Sequence, residues 1–266
     1  MCQLKSCLVL KDRVFCPDYN SHQQMLEELG IEDDYLHASK TFVRVEFTPP
    51  DNTKSLIEPL DRWTLEVDQD IVPEWWDEKA DRQRVEEAVE IWRKGHVFTE
   101  GKHIVKAGEV YACGSATLEA WGSAMVTAYD SATVKACGSA TVEAWGSATV
   151  TAYYSATVKA YNSAKVKAHD SATVEAFNSA TVEAYNSATV EAYDSATVEA
   201  YNSVTVEARG NAKVGAFDRA KVGAFDRAIV KAWDRAMVKA YNRVMVIYPE
   251  ERKIIYPAGW TTETHE

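Results

Sequence analysis

The sequence ATVEAYNSATVEAYDS, residues 180–195, contains two copies of the repeat that decides the fold of most of this chain. The same octapeptide recurs sixteen times without interruption over residues 116–243, and a looser copy at residues 108–115 precedes them. A fixed short period is typical of repeat architectures, in which each unit buries its apolar face only against its neighbours. The repeat must therefore be interpreted as a whole before any single strand or helix is assigned.

Each octapeptide alternates apolar and polar residues over its first five positions. Ala172, Val174 and Ala176 alternate with Thr173 and Glu175 in a typical copy. This period of two places the apolar residues on one face of a strand, and Val and Thr favour the pleated backbone. Position seven is Gly, Asp or Asn in nearly every copy, which suits a corner with a left-handed backbone. We therefore predict a five-residue strand followed by a corner.

Successive strands are predicted to stack into a parallel β-solenoid, and the number of octapeptides per coil decides its cross-section. Three per coil would leave a triangular interior too wide for Ala and Val to fill, whereas two give a flat, two-faced coil. A spacing of sixteen also stacks opposite charges, for example Lys159 beside Glu175. We therefore predict sixteen-residue coils, in which Val174 lies about 4.8 Å from Val190 of the next coil.

The chain divides into three regions by composition and pattern. They are a small α+β domain (1–100), the octapeptide-repeat β-solenoid (101–243), and a C-terminal capping hairpin and tail (244–266). The cap is expected to cover strand edges at the open end of the stack.

Alternating apolar residues, turn residues and helix caps predict the elements of the α+β domain. Alternating apolar residues and turn residues predict a hairpin at 6–16, and further strands at 41–48 and 63–67. Ser21 followed by Gln24 predicts a capped helix that ends at Gly30. The apolar stripe of residues 77–94 predicts a second helix, ended by Gly95.

Composition excludes several classes of function. The net charge of −11 argues against direct nucleic-acid binding by the whole protein. No apolar run approaches the length of a membrane span, and the N-terminus has no secretory pattern. Five unpatterned cysteines suit a reducing cytoplasm better than a disulfide framework. We predict a cytoplasmic protein without a cofactor or metal.

The repeat region resembles bacterial ice-nucleation proteins, which also combine octapeptides into sixteen-residue coils and change to Arg-bearing coils near one end. In this chain four arginines replace the corner Ser of the last copies: Arg219, Arg227, Arg235 and Arg243. The resemblance covers about half of the chain and implies a two-faced solenoid and ice binding. The outward row departs from that pattern, since it is Thr-x-Glu or Thr-x-Lys rather than paired Thr. Ice binding is therefore only a third hypothesis.

A second resemblance covers the whole chain. The opening Met-Cys-Gln, the segment Asp18-Tyr-Asn-Ser-His22 and Phe47-Thr-Pro49 are similar to uncharacterised phage and bacterial proteins. Those proteins join such a domain to Ala-Thr-Val-x-Ala-Tyr repeats. The resemblance implies no particular activity.

Cys2 is the sharpest catalytic candidate. Removal of the initiator Met would expose an N-terminal Cys whose own amine serves as base, a known nucleophile design. His22 and Asp18 are the candidate orienting pair, and Glu46 with Asp68 is the alternative pair. Zinc binding by Cys7, Cys16 and His22 is disfavoured, because the two cysteines lack the close spacing of a zinc knuckle and face each other in a hairpin.

The solenoid surface offers two further sets of candidates. Regularly spaced carboxylates and rings are candidates for partner binding: Glu175, Glu183, Glu191, Glu199, Glu207, Tyr185, Tyr193 and Tyr201. The basic end offers residues for oligomerisation, in addition to the four corner arginines: Phe217, Phe225, Trp233 and Tyr241. Stacked rings would stabilise the coils and leave apolar strips along the edges of the solenoid.

These patterns favour a non-enzymatic interaction protein, an oligomerising β-solenoid that binds itself, most simply as a dimer, and a protein partner. A phage-type inhibitor of a host nucleic-acid-handling or defence protein is its most specific form. The alternatives are a hydrolase or amidase-like enzyme that uses Cys2, with the solenoid as an oligomerisation rod, and an ice-binding protein.

Overall fold

The computed structural model describes residues 4–50, 56–251 and 253–255. The chain forms two compact units, Met1–Val97 and Phe98–Glu266. The N-terminal unit is α+β, and the C-terminal unit is a parallel β-solenoid with a sixteen-residue repeat, so the predicted fold class is confirmed.

The N-terminal unit contains a four-stranded antiparallel sheet of order β2-β1-β3-β4. Its elements, in chain order, are β1 (Lys5–Leu10), β2 (Val14–Phe15), α1 (His22–Leu29), α2 (Tyr35–Ala38), β3 (Phe42–Thr48), a 3₁₀ turn (Leu60–Arg62), β4 (Thr64–Val67) and α3 (Glu78–His96). Trp63 is buried, and its ring centroid lies 5.3 Å from that of Phe47.

The sequence signals predict both ends of α1 correctly, but they misplace the C-terminal end of α3. Ser21 caps α1, since its Oγ accepts a hydrogen bond from the backbone N–H of Gln24, and Gly30 ends that helix with φ 65°. The predicted end of α3 at Gly95 is wrong, because the helix continues through Gly95 to His96. The Nδ1 atom of His96 lies 2.8 Å from the carbonyl oxygen of Trp92 one turn earlier, a contact that ties down the last turn.

The solenoid consists of two sheets whose strands are parallel and alternate along the chain, apart from the C-terminal hairpin. The 10-stranded sheet contains β5 (Val97–Phe98), β7 (Glu109–Ala112), β9 (Met125–Ala128), β11 (Thr141–Ala144), β13 (Thr157–Ala160), β15 (Thr173–Ala176), β17 (Thr189–Ala192), β19 (Thr205–Ala208), β21 (Lys221–Ala224) and β23 (Met237–Ala240). The 11-stranded sheet contains β6 (Lys102–Val105), β8 (Thr117–Ala120), β10 (Thr133–Ala136), β12 (Thr149–Ala152), β14 (Lys165–Ala168), β16 (Thr181–Ala184), β18 (Thr197–Ala200), β20 (Lys213–Ala216), β22 (Ile229–Ala232), β24 (Met245–Tyr248) and β25 (Lys253–Ile255).

Strand register confirms the sixteen-residue coil. Val174 pairs with Val190 and Val190 with Val206, each sixteen residues further along the chain. The inward Val and Ala side chains are almost entirely buried; Ala184 and Val190, for example, are 0% exposed. Such small side chains fill a thin interlayer between two sheets, which is why two octapeptides per coil satisfy close packing.

The corners explain the residue type at position seven. Its backbone adopts φ near +57° in copy after copy, for example at Asn178 and Asp218. Gly, Asn and Asp tolerate this left-handed region best. The exception is Tyr154, with φ 58° and an exposed side chain. Tyr154 therefore carries local backbone strain that the neighbouring corners avoid.

The predicted C-terminal hairpin is present, and it extends one sheet only. Strand β24 pairs in parallel with β22, and β25 pairs antiparallel with β24. The chain therefore adds two strands to the 11-stranded sheet after β22. Among the described residues, no strand is added to the 10-stranded sheet beyond β23.

Candidate functional site

A stack of six rings follows the outward face of the 11-stranded sheet. Its members occupy position six of successive coils: Tyr153, His169, Tyr185, Tyr201, Phe217 and Trp233. Neighbouring centroids lie 4.4–5.1 Å apart, and the ring planes are within 10° of parallel. The strand spacing of about 4.8 Å imposes this separation, so each ring supports the next coil.

The 10-stranded sheet carries a second stack with one substitution in it. Its rings are Trp145, Tyr161, Phe177 and Tyr193, followed after one coil by Phe225 and Tyr241. Arg209 occupies the coil between the two groups, and its guanidinium carbon lies 5.3 Å from the Phe225 ring centroid. A planar cation thus takes the place of one ring.

A gap interrupts the first stack at Cys137, where the repeat lacks a ring. The Lys135 ammonium lies 5.9 Å from the Trp121 centroid on one side and 5.8 Å from the Tyr153 centroid on the other. The cation therefore bridges the position that a ring would fill.

The five candidate glutamates lie on two different faces. Glu175, Glu191 and Glu207 stack on the 10-stranded sheet. Glu183 and Glu199 stack on the 11-stranded sheet. A partner that approaches one face therefore meets only part of the predicted set.

Each of these carboxylates has a partner within the chain. Tyrosines two residues later donate hydrogen bonds to Glu183, Glu191 and Glu199, from Tyr185, Tyr193 and Tyr201 respectively. Basic side chains pair with Glu175, Glu183 and Glu207, namely Lys159, Lys167 and Arg209. Like-charge repulsion along the stacks is therefore reduced by donors from the repeat itself.

These contacts shift the ionisation of both partners. The hydrogen bond to Glu191 and loss of hydration raise the pKa of Tyr193 to about 12. The hydrogen bond to Glu199 and loss of hydration likewise raise the pKa of Tyr201 to about 12. The hydrogen bond from Lys167, together with that from Tyr185, lowers the pKa of Glu183. The accepting carboxylates therefore keep the Tyr193 and Tyr201 phenols protonated, and the two donors keep the Glu183 carboxylate charged.

The corner aspartates near the basic end bond to the backbone rather than to the arginines. Asp218 accepts from the N–H of Asn202 at 2.8 Å, and Asp226 accepts from the N–H of Gly210 at 3.1 Å. Asp218 and Asp226 thus belong to a ladder of corner hydrogen bonds between successive coils. The four corner arginines are exposed, and the ion pairs found between described solenoid residues do not include them.

Strand β23 forms an uncovered end of the described solenoid. In the preceding coil, Val222 is 2% exposed and Ala224 is 0% exposed. The equivalent Val238 is only partly buried, and Ala240 is exposed. Inward-facing apolar side chains thus reach solvent beside Arg235 and Arg243, in the part of the chain that the structure describes.

The candidate catalytic residues are not brought together among the described residues. Cys2 lies outside the described residues. His22 places Nδ1 3.2 Å from Asp68 Oδ2 and Nε2 3.2 Å from the carbonyl oxygen of Val45. Asp18 instead lies 3.1 Å from Nε2 of His96. His22 is therefore oriented by Asp68 rather than by Asp18.

The structure also shows two side-chain groups that the sequence did not single out. Lys5 is fully buried, and its Nζ donates to the carbonyl oxygen of Tyr19 and to Oδ1 of Asn20, both at 3.0 Å. Glu32, Asp34 and His37 place potential ligand atoms within 4.8 Å of one another. Asp34 already caps α2 and hydrogen-bonds His37, which accounts for that group locally.

The fold defines the class of protein as a two-faced octapeptide β-solenoid joined to a small α+β unit. No family model, curated protein or solved structure matches this chain. Within the described ranges, no helix combines the length and the apolar character needed to cross a bilayer.

Proposed function

We propose that this chain is a non-enzymatic interaction protein, a β-solenoid that self-associates through its basic end and binds a protein partner along its faces. A phage-type inhibitor of a host nucleic-acid-handling or defence protein is the specific form we favour. A reducing cytoplasm fits this proposal, because Cys7, Cys16, Cys113 and Cys137 are all free thiols.

The observation that carries the proposal is the edge of β23, which no other described residue of the chain covers. An edge strand presents unpaired N–H and C=O groups and pairs readily with another chain. Here the edge also exposes Ala240 and part of Val238, and the exposed Arg235 and Arg243 occupy the corners before and after the strand. Such an edge is usually shortened, bulged or covered, so its presence supports a contact with a second molecule.

A second copy fits this end by charge. The end carries the four corner arginines, and the middle of the solenoid, residues 172–207, is acidic. Two copies related by a two-fold axis would each place the arginines of this end against the acidic middle of the other. Such an interface is isologous and closes as a dimer, in agreement with the commonest symmetry of homo-oligomers.

Charge supports the partner-binding part of the proposal. Residues 172–207 contain five Glu and one Asp without any Lys or Arg. Proteins that handle nucleic acids present basic surfaces, and a regular acidic face on a rigid solenoid complements them. The half-buried ring stacks beside these carboxylates, with Tyr185, Tyr193 and Tyr201, add the apolar contact area that protein interfaces favour.

Analytical ultracentrifugation tests the self-association. The parent protein should sediment as a dimer at about 0.05 M salt and dissociate toward monomer at about 0.5 M, because screening weakens contacts between exposed charges. Replacing all four corner arginines by Ser, the residue that occupies most other corners, should favour the monomer and leave the solenoid folded.

A control variant that also removes four positive charges separates the effect of the position of the arginines from the effect of net charge. Lys135, Lys159, Lys165 and Lys167 lie in the middle of the solenoid, and Thr occupies equivalent positions in other coils. Replacing these four by Thr should leave the dimer intact. A monomeric parent, or an equal loss of dimer in both variants, would contradict the proposed interface.

A further inference from the structure

Two thiols of the N-terminal unit face each other across the first hairpin. Leu8 pairs with Phe15 and Val9 with Val14, so the next pair in this register is Cys7 opposite Cys16. The two thiols are close enough for each to shift the pKa of the other. Both are free cysteines; Cys7 is buried and Cys16 is only partly so.

The hairpin register places this pair where a disulfide is able to form. The backbone N–H of Leu10 bonds to the carbonyl oxygen of Arg13 at 2.8 Å, so pairs alternate from there between bonded and non-bonded types. Cys7 and Cys16 are therefore a non-hydrogen-bonded pair, for which the Cα separation is about 4.5 Å. This lies within the disulfide range of about 4.4–6.8 Å, so a disulfide fits this pair without movement of the backbone.

The surroundings distinguish the two thiols. A hydrogen bond from Cys7 lowers the pKa of Cys16, and the charge of Lys5 acts in the same direction. Burial raises the pKa of Cys7 well above its usual value. The Lys5 ammonium is itself fixed in the interior by Tyr19 and Asn20. The accessible thiol is thus the better nucleophile, and the buried thiol is held next to it.

We propose that Cys7 and Cys16 form a thiol–disulfide exchange site, in which Cys16 is the attacking thiol and Cys7 the resolving thiol. The substrate is a small disulfide of the glutathione class. This stoichiometric exchange belongs to the N-terminal unit, whereas the non-enzymatic interaction proposed above belongs to the solenoid, and neither depends on the other.

The exchange is balanced in two steps. The Cys16 thiolate attacks one sulfur of the substrate disulfide, forms a mixed disulfide and releases the first substrate thiolate, which takes up a proton from solvent. Cys7 then loses its proton and attacks the Cys16 sulfur, which releases the second substrate thiol. The two cysteines are oxidised to one intramolecular disulfide, and the substrate disulfide is reduced to two thiols.

The reaction of the reduced full-length chain with glutathione disulfide tests this site. Trypsin cleaves after Lys5, Lys11 and Arg13, so Cys2, Cys7 and Cys16 fall on separate peptides. Mass spectrometry of the acid-quenched, alkylated digest should show the Cys7 and Cys16 peptides joined, with the loss of two hydrogen atoms. Glutathione that stays on Cys16, a bond to Cys2, or two thiols that remain free would each overturn the proposal.

Alkylation rates give a readout that needs no variant. Burial raises the pKa of Cys113 to about 11, whereas that of Cys16 lies below the ordinary thiol value. The thiolate fractions at neutral pH then differ by about a hundredfold or more, and the lower intrinsic reactivity of the more acidic thiol offsets part of this. Iodoacetamide should therefore modify Cys16 at least about tenfold faster than Cys113. Equal rates would contradict the assigned roles.

Two variants separate the roles of the thiols. With Cys7→Ala, the mixed disulfide between Cys16 and glutathione should accumulate and persist, because nothing resolves it. With Cys16→Ala, the buried Cys7 should remain unmodified. Rapid glutathionylation of Cys7 in the second variant would show that Cys16 is not the attacking thiol. The circular dichroism spectrum of each variant checks that it is folded.

Discussion

The phenol of Tyr201 donates a 2.8 Å hydrogen bond to Oε2 of Glu199, the residue two positions earlier on the same outward face. Tyr193 donates in the same way to Glu191 on the opposite sheet. The repeat thus supplies a proton donor for each of these stacked carboxylates. A solenoid with parallel rows of Glu is stable for this reason, although its coils lie only about 4.8 Å apart.

The stability of the solenoid should fall as the pH rises above about 10. The folded pKa of Tyr193 and of Tyr201, about 12, exceeds the unfolded value of about 10. The folded state therefore holds these protons more tightly, and the stabilisation is complete below pH of about 10 and is lost as the pH rises through about 12. Denaturant melts across this range measure the effect.

The double variant Tyr193→Phe/Tyr201→Phe is the control for this pH dependence. Phe occupies the same position at residues 177 and 217, so the ring stack tolerates it. The variant should lose roughly 0.5–1.5 kcal/mol per hydrogen bond near pH 8. Its stability should then fall less steeply between pH 10 and 12 than that of the parent. Parallel curves would show that these phenols are not responsible.

Inward and outward positions should differ in their tolerance of larger side chains. Ala184 is fully buried between the two sheets, so Ala184→Leu should cost about 1–3 kcal/mol or more through overpacking. Thr189 is exposed, and its equivalents Lys165 and Lys221 show that the outward row accepts Lys. Thr189→Lys should change the free energy of unfolding by less than about 0.5 kcal/mol. Urea denaturation compares the two, and equal losses would refute the assignment of faces.

Tyr154 should be replaceable with a gain in stability. Its φ of 58° is a conformation that Asn and Asp occupy at most other corners. Tyr154→Asn should therefore stabilise the protein by about 1 kcal/mol, and the reverse change at a matched corner, Asn162→Tyr, should destabilise it by a similar amount. Thermal melts of both variants measure the difference. A loss of stability in Tyr154→Asn would mean that the exposed ring makes a compensating contact.

Completing the ring stack at Cys137 should also stabilise the solenoid. Cys137→Tyr would place a ring between Trp121 and Tyr153, where the Lys135 ammonium now lies. We expect a gain of about 0.5–1.5 kcal/mol in the free energy of unfolding. Phe177→Cys, which removes a ring that stacks on both sides, is the matched loss. A destabilised Cys137→Tyr protein would show that Lys135 fills this position better than a ring does.

The sequence was sufficient for the solenoid because its period determines both strand and coil. Val174 beside Val190 followed from spacing and side-chain size alone. The end of α3 was wrong because a glycine near a helix end marks a stop only when its backbone turns left-handed, and Gly95 keeps the helical conformation.

The side-chain partners were less predictable, because they depend on direction as well as on spacing. Asp218 lies next to Arg219 in sequence, yet the left-handed corner directs its carboxylate to the N–H of Asn202 in the preceding coil. Lys5 is an ordinary strand residue by sequence, and only the convergence of Tyr19 and Asn20 on its Nζ reveals a buried charge.

Because the coil closes after sixteen residues, the sheet to which a strand belongs depends on whether an even or an odd number of octapeptides precedes it. An extra octapeptide inserted after Ser187 would move β17 and every later strand to the opposite sheet, exchange the edges on which the arginines lie, and attach the terminal hairpin to the other face. An inserted pair would only lengthen the solenoid by one coil, about 4.8 Å. Natural length variants that keep both faces should therefore differ in steps of two octapeptides.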